Sequence, residues 1–178
     1  MRVGGKKLVA VVVAAVLLAG IAYLLVYAYQ RPHINQSSKA IPVPEELAGI
    51  PLARHVSGEE AVKTVVGIHW EKVPVEKAAI AEYGSNGRLY FRLWVAVVND
   101  PCRLVDEMAE KMREYASVLP YTAPRPINHT VLFYVTIDKR DGTLHVFWCE
   151  PPYVIWLHIY DRRLTLEALR EVVDFYRR

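Results

Sequence analysis

An unbroken apolar run at residues 8–29 constrains this chain more than any other stretch of it. It carries no charge and no strong polar group, and at ~1.5 Å per helical residue it reaches about 33 Å, one bilayer core. The run is therefore expected to form a transmembrane helix that tethers everything after it to a membrane. Arg2, Lys6 and Lys7 stand before it, whereas the nearest charges behind it are Arg31 and Lys39. By the positive-inside rule, residues 1–7 are a cytoplasmic terminus and the C-terminal domain of a single-pass protein lies outside. Tyr23, Tyr27 and Tyr29 cluster at the far end, where rings with one apolar and one polar side favour the interface.

Two other fates for the run are less consistent with its flanks. A removable signal peptide has an apolar core of about 7–15 residues and a small-residue cleavage site, and neither fits. A prepilin-type leader cut at Gly4-Gly5 would leave Lys6 and Lys7 between the cut and the apolar segment. Ala10, Ala14, Ala15 and Ala19 have a spacing that can seat another helix, but in so Ala-rich a span lipid-facing positions look the same.

Residues 30–54 are polar and punctuated by Pro32, Pro42, Pro44 and Pro51, without sustained periodicity. They read as a Pro-rich stalk, leaving residues 55–178 as one extracytoplasmic domain of ordinary size. The sequons at Asn35 and Asn128 are glycan acceptors only if this side is extracytoplasmic. Removing Arg2, Lys6 and Lys7 from the 22 basic side chains leaves 19 against 19 acidic ones. A neutral domain lacks the basic footprint of phosphate-backbone binding, so nucleic acid is not an expected partner. Few Asn and Gln, many Arg and Glu and Pro-rich loops make a composition that resists heat damage and suits a thermophilic source.

Within the domain, Ser57 and Glu60 have the spacing of a capping box, and Ala61, Val62, Val65 and Val66 continue a short helix to near Gly67. A strand is expected over 76–83, a turn at 84–87, and a second strand over 88–98. Asp100 is an N-cap candidate with Pro101 behind it, and Val105, Met108, Met112, Tyr115 and Leu119 recur at helical spacing. The Met pair reads as core filling. Strands follow over 130–138, 143–149 and 153–160, and Thr165 opens a helix whose Leu166, Leu169, Val173 and Tyr176 share a face. That order implies an α+β fold: an N-terminal transmembrane helix, then an antiparallel or mixed five-stranded sheet with helices mainly on one face.

Ser57-Gly58-Glu59-Glu60-Ala61, Ile68-His69-Trp70, Ala81-Glu82-Tyr83, Leu93-Trp94-Val95-Ala96, Met112, Gly142-x-x-His145-x-Phe147-Trp148 and Val154-Ile155-Trp156-Leu157 together carry a resemblance. The chain resembles an uncharacterised family of single-pass archaeal membrane proteins. These are packing positions spread over about 120 residues, and the resemblance implies the single-pass arrangement but no activity.

Strand alternation sends Phe91, Leu93, Val95, Val131, Phe133, Val135, Val146 and Trp148 toward the helices. It sends Tyr90, Arg92, Trp94, Tyr134, His145, Phe147, Trp156, His158 and Tyr160 to the other side, which is expected to be exposed and to bind a protein partner or a second copy, with Trp94 and Trp156 marking the surface. The alternative is that the first short helix or the stalk folds over these rings. Pairing Cys149 with Val154 sorts apolar residues best and sets His145 opposite His158. Two imidazoles do not complete a metal site, and His69 and His129 would have to come near to help, so no metal or other cofactor is expected. Cys102 shares an inward helical face with Val105, whereas Cys149 lies on the opposite sheet face, so a disulfide would have to cross the sheet edge and oxidation is left open. No nucleophile motif or fixed carboxylate pair is present, so the chain is not expected to be an enzyme. What remains is a membrane-anchored extracytoplasmic binding or accessory module, with a minor-pilin-like surface component or a metal-binding carrier domain as the alternatives.

Overall fold

The computed structural model describes residues 40–68, 73–129 and 131–177. The run at 8–29 expected to cross the membrane lies outside them, as do Asn35 and His69. Among the described residues no helix is long and apolar enough to span a bilayer.

Eight strands form one sheet: β1 Glu46–Leu47, β2 Ile50–Ser57, β3 Lys77–Ser85, β4 Arg88–Val97, β5 Arg125–Asn128, β6 Leu132–Ile137, β7 Leu144–Glu150 and β8 Tyr153–Ile159. Their spatial order is β1-β2-β3-β4-β8-β7-β6-β5, and every neighbouring pair is antiparallel. The sheet is thus two four-stranded meanders joined along β4 and β8, with helix α2, Pro101–Glu114, in the connection between them. Helix α1, Glu59–Gly67, follows β2, and helix α3, Thr165–Tyr176, follows a short 3-10 turn at Arg162–Leu164.

This corrects the expected α+β fold with a five-stranded sheet behind a transmembrane helix, a segment that itself lies outside the described residues. The described chain is mostly an eight-stranded antiparallel sheet carrying three helices. The three extra strands all contain or adjoin signals read as breakers. Pro51 sits in β2 opposite Glu46 of the two-residue edge strand β1, and Pro126 sits in β5 at the other edge. Proline lacks a ladder donor but is tolerated where one side of the strand is unpaired. Residues read as the end of a stalk are therefore part of the sheet, and Ile41 and Leu47 are buried in its core.

Turn chemistry sets the hairpins. Between β3 and β4, Asn86 and Gly87 both have positive φ, 52° and 76°, which is the geometry of the tight hairpin turns that suit the twist of paired strands. Ser57 closes β2 and does not cap α1, whose N-cap is Gly58 without a side-chain bond. Asp100 does cap α2, accepting a hydrogen bond from Arg103 N at 3.3 Å, with Pro101 in the first turn. That helix ends at Glu114, before the expected Leu119.

The largest core lies between one sheet face and α3. Phe91, Leu93, Val95, Val146 and Trp148 are buried there with Ala168, Val172 and Tyr176, and Val131, Phe133 and Val135 pack at its margin, as alternation predicts. The other face is not left bare. Helix α1 lays Ala61 and Val65 on Ile80 and Trp94. Helix α2 lays Val105, Met108, Ala109 and Met112 on Tyr134, Phe147, Trp156 and Cys149. Helices mainly on one face is therefore also corrected, and the reason is physical: both faces are rich in large apolar side chains, and each must be covered.

Candidate functional site

The face expected to be an open aromatic platform is divided by its two covering helices. Tyr134, His145 and Phe147 are buried, and Arg92, Trp94, Trp156 and His158 are half-buried. The Tyr134 hydroxyl donates to Asp106 of α2 at 2.8 Å, and Phe147 and Trp156 stack at 4.7 Å beneath the same helix. Tyr90 packs against the α3-side core, with the Arg88 guanidinium 4.7 Å above its ring. Tyr160 is the most exposed of the nine, at 37%. Trp94 and Trp156 are thus half-buried members of secondary cores beneath α1 and α2.

Uncovered polar ground remains in this face. The strand register pairs Cys149 with Val154 and His145 with His158, as the sorting of apolar residues predicts, and the two imidazole centroids lie 4.1 Å apart. They line a cavity of about 220 Å³ with Arg92, Tyr160 and residues the sequence reading did not single out: Tyr121 after α2, and Asp138, Arg140, Asp141 and Thr143 from the β6–β7 turn. The run from Asp138 to Thr143 reads in sequence only as a turn. Its acidic residues do serve as turn anchors, since Asp138 accepts from Arg140 N at 2.9 Å and Asp141 from Thr143 N at 2.8 Å. A second cavity of about 230 Å³, bounded by Arg54, Glu60, Thr64 and Trp94, shares the Arg92 wall.

Each charged lining group has a defined partner. Arg92 Nε donates to Glu82 Oε1 at 2.9 Å, and a terminal nitrogen of the same guanidinium lies 2.8 Å from that oxygen. Arg140 grips the Asp138 carboxylate with Nε and a terminal amino group, which holds that carboxyl down at about 2. The Trp156 indole N–H donates to His145 Nδ1 at 3.0 Å, so the proton of that neutral ring resides on Nε2. His158 stacks on Trp94 at 5.9 Å and makes no hydrogen bond of its own among the described residues. Burial is the chief cause that lowers His145 to about 4 and His158 to about 3, with the neighbouring His145 and Arg92 adding to the second shift.

These values carry a sign. A histidine depressed in the folded state is neutral there while its unfolded counterpart still titrates near 6.5, so the unfolded chain binds more protons between the two values. The stabilisation is complete above the unfolded value and is lost as pH falls through about 6.5 toward 3–4. Asp138 and Asp161, both lowered to about 2, act in a lower window, their contribution being lost only below the ordinary 3.8. Urea unfolding is therefore expected to show stability declining between pH 7 and 4.5, by at most about 1.4 kcal/mol per pH unit for each imidazole, and His158→Gln is expected to flatten the decline. A flat profile over that interval would remove the buried neutral pair from the account.

Cys102, at the start of α2, and Cys149, at the end of β7, form a disulfide with Cα atoms 5.0 Å apart. The objection that such a bridge must cross the sheet edge assumed α2 on the α3 side; with α2 on the Cys149 face, no crossing is needed. Among the described residues no group of three or more His, Cys, Asp and Glu side chains is arranged to hold a metal ion. Comparison with known proteins finds no matching family model, no matching curated protein and no matching solved structure.

Proposed function

We propose that the protein is a membrane-tethered extracytoplasmic binding or accessory module, and not an enzyme. The observation that carries this reading is the Cys102–Cys149 cross-link, because disulfides that join distant elements persist mainly in oxidising compartments. The apolar run at 8–29 and the basic residues before it support the same side for the domain. Binding has somewhere to occur, in the two cavities that meet at Arg92. The chemistry of a nucleophile does not support an enzyme here: both cysteines are consumed in the cross-link, and among the described residues neither cavity imidazole hydrogen-bonds a hydroxyl.

Protease added to intact cells is expected to remove the domain while leaving a short membrane-protected fragment. Protection in intact cells combined with digestion in inverted vesicles would reverse the orientation. Intact-mass measurement in the same preparation separates a pilin-type component, which would have lost its first residues.

A further inference from the structure

We infer that the His145–His158 cavity is a receptor site for a small oxyanion, a carboxylate- or phosphate-bearing molecule of a few heavy atoms. This rests on the binding-module reading and gives it a ligand class. The cavity, at about 220 Å³ and open on one side, is ample for a dicarboxylate or phosphate.

The ligand class follows from which hydrogen-bonding groups are already committed. The Asp138 carboxylate is filled by the Arg140 backbone N–H and two guanidinium nitrogens, and one oxygen of Asp141 receives Thr143 N. Open donors outnumber the acceptors that remain. Arg92 and Arg140 each engage Nε and one terminal amino group with a carboxylate, leaving the second terminal group. The hydroxyls of Tyr121 and Tyr160 make no hydrogen bond among the described residues, nor does His158, and His145 has its proton on Nε2. A half-enclosed site whose open donors, including one end of each guanidinium group, outnumber its open acceptors is complementary to a ligand made mainly of acceptors. A cation would instead meet two guanidinium groups, with Asp141 the one lining carboxylate that has no guanidinium partner among the described residues. The formal charge of the lining is balanced, Arg92 and Arg140 against Asp138 and Asp141, so selectivity comes from donor geometry more than from field strength.

The test uses the full-length protein in detergent, dialysed into chloride, with calorimetric titration of inorganic phosphate in one arm and succinate in the other. One of the two is expected to bind saturably at one site per chain, which also identifies the headgroup. Arg140→Gln and His158→Gln are each expected to weaken that binding by about tenfold or more, the scale of a lost charge-assisted or buried hydrogen bond, whereas Lys63→Gln on the exposed side of α1 leaves it unchanged. Should Arg140→Gln misfold for want of the Asp138 partner, Tyr160→Phe removes a single hydroxyl from a partly exposed ring and is expected to weaken binding about threefold. No saturable binding of either anion, or binding indifferent to these variants, overturns the inference. Uptake of a neutral monosaccharide in place of both anions also overturns the oxyanion class while leaving a binding module. A domain that binds phosphate but resists protease on intact cells would overturn the location and leave the site.

Discussion

Leu93→Ala is expected to lower unfolding stability by about 2–5 kcal/mol, toward the upper end of that range. Leu93 is fully buried at the centre of β4, the strand on which the two meanders join. Its cross-strand neighbours are Ala81 on β3 and Leu157 on β8, so both flanks are fixed by ladders, and its side chain lies in the core shared with α3. Ala81 is too small to lean into the vacated volume, and the strands cannot shift singly, so most of the cavity persists and its cost adds to the lost transfer energy. Urea unfolding at neutral pH measures this directly. An unchanged midpoint with an unchanged slope would place Leu93 outside the core.

Removing the Cys102–Cys149 bond, by reductant or by a double Ser substitution, is expected to cost about 2–4 kcal/mol, in keeping with a cross-link spanning 47 residues of chain. The loss arises mainly in the unfolded chain, which regains the freedom of the segment carrying α2, β5, β6 and β7. The folded state keeps α2 in place through Val105, Ala109 and Met112 against Phe147 and Tyr134. The reduced protein should therefore stay folded at room temperature with native near-ultraviolet dichroism and a lower melting point. Two reactive thiols in the untreated native protein, or a melting point indifferent to reductant, would contradict the bridge.

Local signals in this sequence were legible where one interaction dominated. The β3–β4 hairpin follows from the Asn86-Gly87 turn and the alternation around Phe91, Leu93 and Val95. The His145–His158 pairing follows from the requirement that Val146 and Trp148 meet Leu157 and Ile155 on one side. Two kinds of information were not legible. A two-residue strand such as β1, or a Pro-bearing edge strand such as β5, has no period to detect, because ladder bonds from a neighbour form it. Alternation also tells which side chains share a face but not what covers it. That gap left α1 over Trp94 as one of two readings, hid α2 over Phe147, made the disulfide look obstructed, and concealed the cavity, half of whose lining comes from a loop and a turn. Of the nine residues expected to form one surface, Arg92, His145, His158 and Tyr160 line the candidate site, and the rest mainly pack elements together.

The last helix holds the first turn. Glu171 of α3 accepts the backbone N–H of Ala48 at 2.7 Å, where the β1–β2 turn carries positive φ, and the Tyr176 hydroxyl donates to Pro42 O at 2.8 Å. During synthesis β1–β4 leave the ribosome long before the residues that secure their outer edge exist, so the growing chain must carry an unlatched sheet margin until α3 has emerged. A truncation that removes only α3 should consequently loosen the opposite end of the sequence first, and proteases should begin at residues near 48 while the strands of the second meander are still intact.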